Sequence, residues 1–206
     1  MVDFCDRFSL DAHETGPTGL DVLKLNEQPR IVLIFTSECS EVKTHFVDAG
    51  DFRGYVQCNS NAEGKCLLCD ISQRLETRLI LPVYDVETDS IIAMLIPGTV
   101  SPSSLGPQLR HEMERGDLDK RYLMVSRKFD KYTVRSAPMT DGAEAGETVI
   151  ADFLDQVRAG RVALSDVIKR LPNRELVAIP QIERKAIALG MRTQDYESAA
   201  VIAIDE

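Results

Sequence analysis

The chain has 206 residues, enough for one domain of about 120–150 residues with an extension, or for two small domains. Its five cysteines are too few and too unevenly spaced for a secreted disulfide scaffold, and no apolar stretch approaches the roughly 20 residues of a membrane-spanning helix. The opening MVDFCDRF lacks the pattern of a signal peptide, so we expect a cytoplasmic protein with reduced thiols.

The net charge of −9 is unevenly distributed along the chain, because both ends are acidic and the middle is nearly neutral. The exception is the stretch 120–135, in which the only acid is Asp130. Its basic residues are Lys120, Arg121, Arg127, Lys128, Lys131 and Arg135. The sequence therefore predicts a local basic patch in an acidic protein.

Short apolar or alternating runs dominate the first two thirds of the chain and predict antiparallel strands. Residues 1–19 show no sustained period and are interpreted as a flexible N-terminal arm. The predicted strands are 31–35, 42–47, 54–58, 78–85, 91–96, 121–126 and 129–135. Residues 109–115 predict one or two helical turns. Six or seven short strands in about 110 residues are typical of a small barrel or sandwich.

The pattern changes near Pro138, where the strand-like sequence ends. Residues 139–146 have the composition of a linker, and the apolar spacing from Glu147 predicts an amphipathic helix that ends at Gly160. Two further helices are predicted at 166–171 and 181–189. We interpret 147–206 as a helical C-terminal region that packs on the core or contacts partners.

The segment 58–69 carries three cysteines, and two of them, Cys66 and Cys69, have the C-x₂-C spacing with which one turn chelates one metal ion. Cys58 can reach the same ion from the end of the preceding strand. The fourth ligand is His45 or Cys39, and we prefer His45 because its strand would run beside the one that ends at Cys58. These four ligands predict a closed, structural Zn²⁺ site, although buried free thiols are the alternative.

An enzyme is not expected from this sequence. A catalytic zinc needs an open coordination position beside a base, and the His-x-Glu with Pro-Cys-x-x-Cys pattern of the deaminases is absent. Convergent carboxylates, a nucleophile elbow and a glycine-rich phosphate loop are likewise absent from the sequence.

The ligand pattern resembles the zinc-containing single-stranded DNA-binding proteins of T-even and related phages. It consists of His45, twelve intervening residues, Cys58, the Cys66/Cys69 pair and then the strand Arg78-Leu79-Ile80-Leu81-Pro82-Val83-Tyr84-Asp85. The resemblance covers about Leu20 to Pro138, a little over half of the chain.

This resemblance implies an OB-fold barrel at 20–138 with a zinc subdomain inserted at 45–69. It further implies a role in DNA replication, recombination or repair, and replication proteins as partners of the C-terminal region. The chain departs from the family in its N-terminal arm, where Arg7 is the only cation, and in its C-terminal third, which is patterned for helices rather than for an acidic tail.

Binding of a single strand needs cations for the phosphates and aromatic faces for the unstacked bases. Strand alternation places Phe129, Lys131 and Arg135 on one face, and Arg78 and Tyr84 on one face of another strand. The candidate contacts are Arg53, Tyr55, Arg74, Arg78, Tyr84, Arg127, Lys128, Phe129, Lys131, Tyr132 and Arg135. Two alternatives are that the tyrosines fill the core and that the basic patch is an ordinary solvated edge hairpin.

The sequence thus predicts a mainly β, zinc-stabilised single-stranded DNA-binding protein with little sequence preference. A zinc-containing adaptor that binds other proteins and not nucleic acid is the alternative, since a net negative protein gains no long-range attraction to DNA.

Overall fold

The computed structural model describes residues 20–36, 38–49, 52–98, 101–115, 121–129, 131–138 and 146–197. The predicted N-terminal arm at 1–19, nearly all of the predicted linker at 139–146 and the end of the helical region at 198–206 lie outside the described residues. The described chain separates into two compact units, and the boundaries between them fall inside two strands and just after a 3₁₀ turn.

The strands run in chain order as β1 to β7 and confirm the predicted antiparallel character. Their bounds are Arg30–Leu33 (β1), Ser40–Ala49 (β2), Phe52–Gln57 (β3), Leu75–Asp85 (β4), Ser90–Pro97 (β5), Arg121–Lys128 (β6) and Lys131–Pro138 (β7). β2 and β4 extend beyond their predicted ends, because polar residues that break the apolar pattern still pair through their backbones.

The helices are short and are numbered α1 to α7 in chain order. Their bounds are Ser60–Glu63 (α1), Leu67–Asp70 (α2), Leu105–Glu114 (α3), Glu147–Arg158 (α4), Asn173–Val177 (α5), Pro180–Ala188 (α6) and Gln194–Glu197 (α7). The helix predicted at 166–171 is replaced by a 3₁₀ turn at Leu164–Val167. The carbonyls of Ile168 and Lys169 accept from Gln57, and that of Leu171 accepts from Asn59, so these carbonyls bond outside a helix.

The larger unit comprises the described residues of 20–42 and 77–167 and is built mainly on five of the seven described strands. The pairings run in the order β5, β4, β1, β6, β7, and each of these pairs is antiparallel. Among the described residues no pairing joins β5 to β7, so this sheet is open and the predicted closure into a barrel is not confirmed.

Buried residues lie on both faces of the open sheet within this unit. One face carries Val32, Val83 and Leu123, which pack with Leu105 and Leu109 of α3. The other face carries Tyr84, which is 1% exposed. Gly146, at φ +94° before α4, lies so close to the Tyr84 ring that a Cβ atom there would come within 2.5 Å of it. Only glycine fits this approach.

The outer edge of strand β7 is covered by α3 and by the loop that leads into α3. The backbone N–H of Tyr132 donates to the carbonyl of Ser103 at 3.0 Å. The side chain of Gln108 in α3 donates to the carbonyl of Tyr132 at 2.7 Å and accepts from the N–H of Val134 at 3.0 Å. A covered edge cannot recruit a further strand from another chain.

We expect Gln108→Ala to lower the free energy of unfolding by about 1–3 kcal/mol, because two backbone groups of β7 lose their partner. Alanine favours the helix, so α3 itself is not weakened by this change. Urea unfolding measures the effect, and Arg110→Ala, an exposed position on the same helix, is the control. Equal unfolding midpoints for the two variants would contradict the role given to Gln108.

The smaller unit comprises the described residues of 43–76 and 168–197. Its core joins apolar residues of β2, β3 and α2 to residues of α5, α6 and α7. These are Val47, Ala49, Val56, Cys58, Cys66, Leu67, Leu68, Ile71, Leu171, Leu176, Val177, Ile182, Ala186 and Tyr196. The C-terminal helices therefore form part of the same core as the cysteine segment.

Candidate metal centre

The four predicted ligands lie together in the smaller unit. His45, Cys58, Cys66 and Cys69 place one ligand atom each within 4.8 Å of one another. His45 and Cys66 are fully enclosed, whereas Cys69 lies towards the surface. Cys39 is exposed and is not a member of the group, and the four cysteines that the structure describes are unpaired. This group could hold a metal ion.

The pairing of β2 with β3 explains how His45 and Cys58 come to lie side by side. His45 pairs with Val56 across the β2–β3 hairpin, and Cys58, two residues beyond Val56, lies on the same face. The N–H of Cys58 donates to the carbonyl of Lys43 at 2.8 Å, which continues the ladder past the end of β3. His45 and Cys58 are thus neighbours by strand register.

The other two ligands are set by a turn of helix. Gly64, at φ +71°, ends α1 in the left-handed conformation and reverses the chain. Cys66 then occupies the N-cap position of α2 in an extended conformation, and Cys69 lies within the single turn that follows. The C-x₂-C spacing therefore brings both thiols to one side of this turn.

Three of the six distances between the donor atoms match the edges of a tetrahedron around a zinc ion. Bond lengths of about 2.3 Å to sulfur and about 2.05 Å to nitrogen give S···S edges of about 3.8 Å and S···N edges of about 3.6 Å. Cys58 Sγ lies 3.6 Å from Cys69 Sγ, and His45 Nε2 lies 3.6 Å from Cys66 Sγ and 3.5 Å from Cys69 Sγ. One small ion fits between these atoms.

The ring of His45 is oriented by contacts on its other side. Its Nδ1 atom lies 3.2 Å from the carbonyl of Gln73 and 3.1 Å from that of Arg74. Two carbonyl acceptors require a proton on Nδ1, so Nε2 is the ring atom that faces the thiols and that would bind the ion. A second ligand, Cys58, also has a polar neighbour, because the Ser60 hydroxyl lies 3.2 Å from its Sγ atom. Hydrogen bonds of this kind orient the ligands around a metal ion in known metal sites.

The thiols differ in how readily they lose a proton. Burial by itself would raise the pKa of Cys58, but hydrogen bonds with Ser60, His45 and Cys69 outweigh it and lower the pKa below its ordinary value. Burial raises the pKa of Cys69 to about 12, and the neighbouring Cys58 and Cys66 add to this shift. Metal binding must displace such a proton, so it should strengthen as pH rises.

Asn173 of α5 connects this segment to the C-terminal helices and is fully buried. Its Oδ1 accepts from the N–H of Leu67 at 2.9 Å, and its Nδ2 donates to the carbonyl of Lys65 at 3.1 Å. The Asn59 amide donates to the same Oδ1 at 3.3 Å and to the Leu171 carbonyl at 2.7 Å. The sequence alone gave no sign of this residue.

The candidate nucleic-acid contacts are distributed over both units, and each group is described within its own unit. In the smaller unit Arg53 and Arg74 are exposed, with carboxylates at 3.6 Å (Asp48) and 3.4 Å (Glu76) respectively. Tyr55 is half-buried against Phe46, with ring centroids 5.1 Å apart. Phe46 was not among the predicted contacts.

Two of the predicted contacts in the larger unit lie beneath the surface. Arg78 is 7% exposed and Tyr84 is 1% exposed, with the Tyr84 hydroxyl donating to Asp89 at 2.6 Å. A base cannot stack on an enclosed ring, so the expectation that these two side chains line a groove is corrected. Tyr84 lies between Leu33 and Ile91 with Gly146 against its ring, and Arg78 pairs with Pro97.

The β6–β7 hairpin presents the remaining candidates. Lys128, Phe129, Lys131 and Arg135 are exposed. Tyr132 packs against the core of this unit, and the Arg127 guanidinium lies 5.5 Å from the centre of its ring. Lys131 and Arg135 share one face of β7, as alternation predicts, whereas Phe129 lies in the turn before β7 and not on that strand face.

Within the described residues, no helix has the length and apolarity needed to cross a bilayer. Comparisons of the chain with family models, with curated proteins and with solved structures found no match.

Proposed function

We propose that this protein binds single-stranded nucleic acid through the β6–β7 hairpin and that a zinc ion stabilises its smaller unit. Three thiolates and one imidazole form a donor set that suits Zn²⁺ in a closed structural site. The proposed binding needs an open basic sheet surface and does not depend on closure of a barrel.

The observation that carries the proposal is Phe129, at the turn between β6 and β7. Its side chain is 82% exposed, and its backbone has φ +54°. The left-handed region suits asparagine or glycine in a two-residue hairpin turn and costs other residues about 1–2 kcal/mol. Within the part of the chain that the structure describes, a large aromatic that is both solvated and in an unfavourable conformation contributes little to stability, which favours a role in binding.

The charges around this ring suit a phosphate backbone. Lys128 and Lys131 form the pair that closes the turn, and Arg135 lies further along the same face of β7. Among the described residues Lys128 pairs with the carboxylate of Glu27 at 3.4 Å, and both side chains of this pair are more than 60% exposed. Such a surface pair is weak and gives way to a phosphate.

A Phe129→Asn variant tests the proposal by separating binding from stability. We expect the variant to unfold at a higher temperature, since asparagine tolerates positive φ, and to bind a fluorescein-labelled thymidine oligomer of about 15 nucleotides roughly 5- to 160-fold more weakly. Fluorescence anisotropy at several salt concentrations measures the affinity, with a duplex of equal length as the control ligand.

In the same assay Lys131→Ala should reduce the slope of log K against log salt by about 0.7, the value for one phosphate contact on a single strand. Unchanged affinity in Phe129→Asn, or equal affinity of the native protein for the duplex, would count against this function.

The adaptor alternative has an observation of its own. Ile187 and Leu189, at the end of α6, are 57% and 56% exposed, and the chain carries a net charge of −9. Failure of the native protein to bind the oligomer even at low salt would favour this alternative and direct the search to α6.

A further inference from the structure

An aromatic pair lies on the β2–β3 hairpin, on the face opposite the metal ligands. Phe46 and Tyr55 face each other across the two strands, with ring centroids 5.1 Å apart and planes inclined at 60°. Both residues are half-buried and so are partly accessible to solvent. The Arg53 guanidinium lies 5.9 Å from the centre of the Phe46 ring.

This pair is linked to the metal group through one residue. His45 and Phe46 are consecutive in β2 and must therefore point to opposite faces. The Gln73 carbonyl lies 3.2 Å from Nδ1 of His45, and the Gln73 side chain donates to the carbonyl of Phe46 at 2.7 Å. Gln73 thus contacts both the ring of the metal ligand and the backbone of the residue that carries the aromatic ring.

We infer that Phe46, Tyr55 and Arg53 form a second contact for single-stranded nucleic acid, which takes an unstacked base, and that the metal ion holds its geometry. This inference rests on the proposed function and adds a site on the other unit. Bases of any sequence stack on exposed aromatic faces, and a guanidinium beside such a face adds attraction to the base and to its phosphate.

Asp48 is the group that opposes this role, since its carboxylate lies 3.6 Å from Arg53. The two side chains are 60% and 42% exposed, so their attraction is weakened by solvent. A phosphate that approaches Arg53 must displace or tolerate this carboxylate. Asp48→Asn should therefore tighten binding of the oligomer, an effect that a purely structural cross-strand pair does not predict.

The first test compares Tyr55→Leu and Phe46→Leu with the native protein in the anisotropy assay. We expect each variant to bind the thymidine oligomer roughly 5- to 160-fold more weakly. The control is Phe52→Leu, a half-buried aromatic of the same hairpin that packs against the core of the unit. This control should change the melting temperature and leave the affinity unchanged.

The second test concerns the metal. Removal of the ion with a chelator should weaken binding by the native protein, but should weaken binding much less in the Phe46→Leu/Tyr55→Leu double variant, in which the dependent contact is already lost. Equal losses in both proteins would show that the metal acts elsewhere and would overturn the inference. Metal content is measured in parallel by elemental analysis.

The two proposals fail in different ways. If the native protein binds the oligomer and Phe129→Asn weakens binding, but neither Tyr55→Leu nor Asp48→Asn changes affinity, the second contact is wrong and the proposed function stands. If the native protein does not bind the oligomer at all, the proposed function is wrong and this inference ends with it.

Discussion

Replacing Cys66 with serine is expected to abolish stoichiometric metal binding and to destabilise the smaller unit by an amount on the order of 3–5 kcal/mol. A hydroxyl is a poor ligand for an ion that favours thiolates, and the three remaining donors leave an open position. α1 and α2 have four residues each, so they depend on tertiary contacts and on the metal for their structure.

Elemental analysis and thermal unfolding measure the two parts of this prediction. Cys39→Ser is the matched control, because Cys39 is exposed and lies outside the ligand group. It should keep the native metal content and melting temperature. A Cys66→Ser protein with one bound metal ion and native melting would refute the assignment of this thiol as a ligand.

Replacing Asn173 with alanine should lower the free energy of unfolding by about 2–4 kcal/mol. The change leaves the N–H of Leu67, the carbonyl of Lys65 and the Asn59 amide without the Asn173 side chain, and buried polar groups without partners are costly. The Leu67 N–H belongs to the first residue of α2, so the loss should also loosen the turn that carries Cys66 and Cys69.

Chemical unfolding measures the stability of this variant, and the rate of metal transfer to a coloured chelator measures the loosening of the site. Asn61→Ala is the control, since Asn61 is an exposed asparagine of the same segment. We expect faster metal transfer in Asn173→Ala only. Identical transfer rates in the two variants would show that the C-terminal helices do not support the metal site.

The features that could be predicted from the sequence are those that depend on residues close together in the chain. The apolar run at 78–85 was enough to place most of β4, and the C-x₂-C spacing was enough to bring Cys66 and Cys69 together. The choice of His45 over Cys39 followed from the expected pairing of two adjacent strands, which β2 and β3 adopt.

The features that the sequence did not predict depend on residues far apart in the chain. Tyr84 alternates like a surface residue of one strand, but its ring is covered from the distant Gly146. Asn173 shows no local signal, because its partners are more than 100 residues earlier. Phe46 could have been found, since a ligand at position 45 forces residue 46 to the other face.

The smaller unit is built from two chain segments that are far apart in sequence, which determines when it can form during synthesis. Residues 77–167 separate its two segments, so the cysteines leave the ribosome long before the helices that complete their core. At typical rates of about 5–20 residues per second, the interval between residues 76 and 197 is roughly 6–24 s. Leu67, Leu68 and Ile71 lack their C-terminal partners throughout that interval, so a nascent chain that stops before residue 168 carries the metal ligands without the core that encloses them.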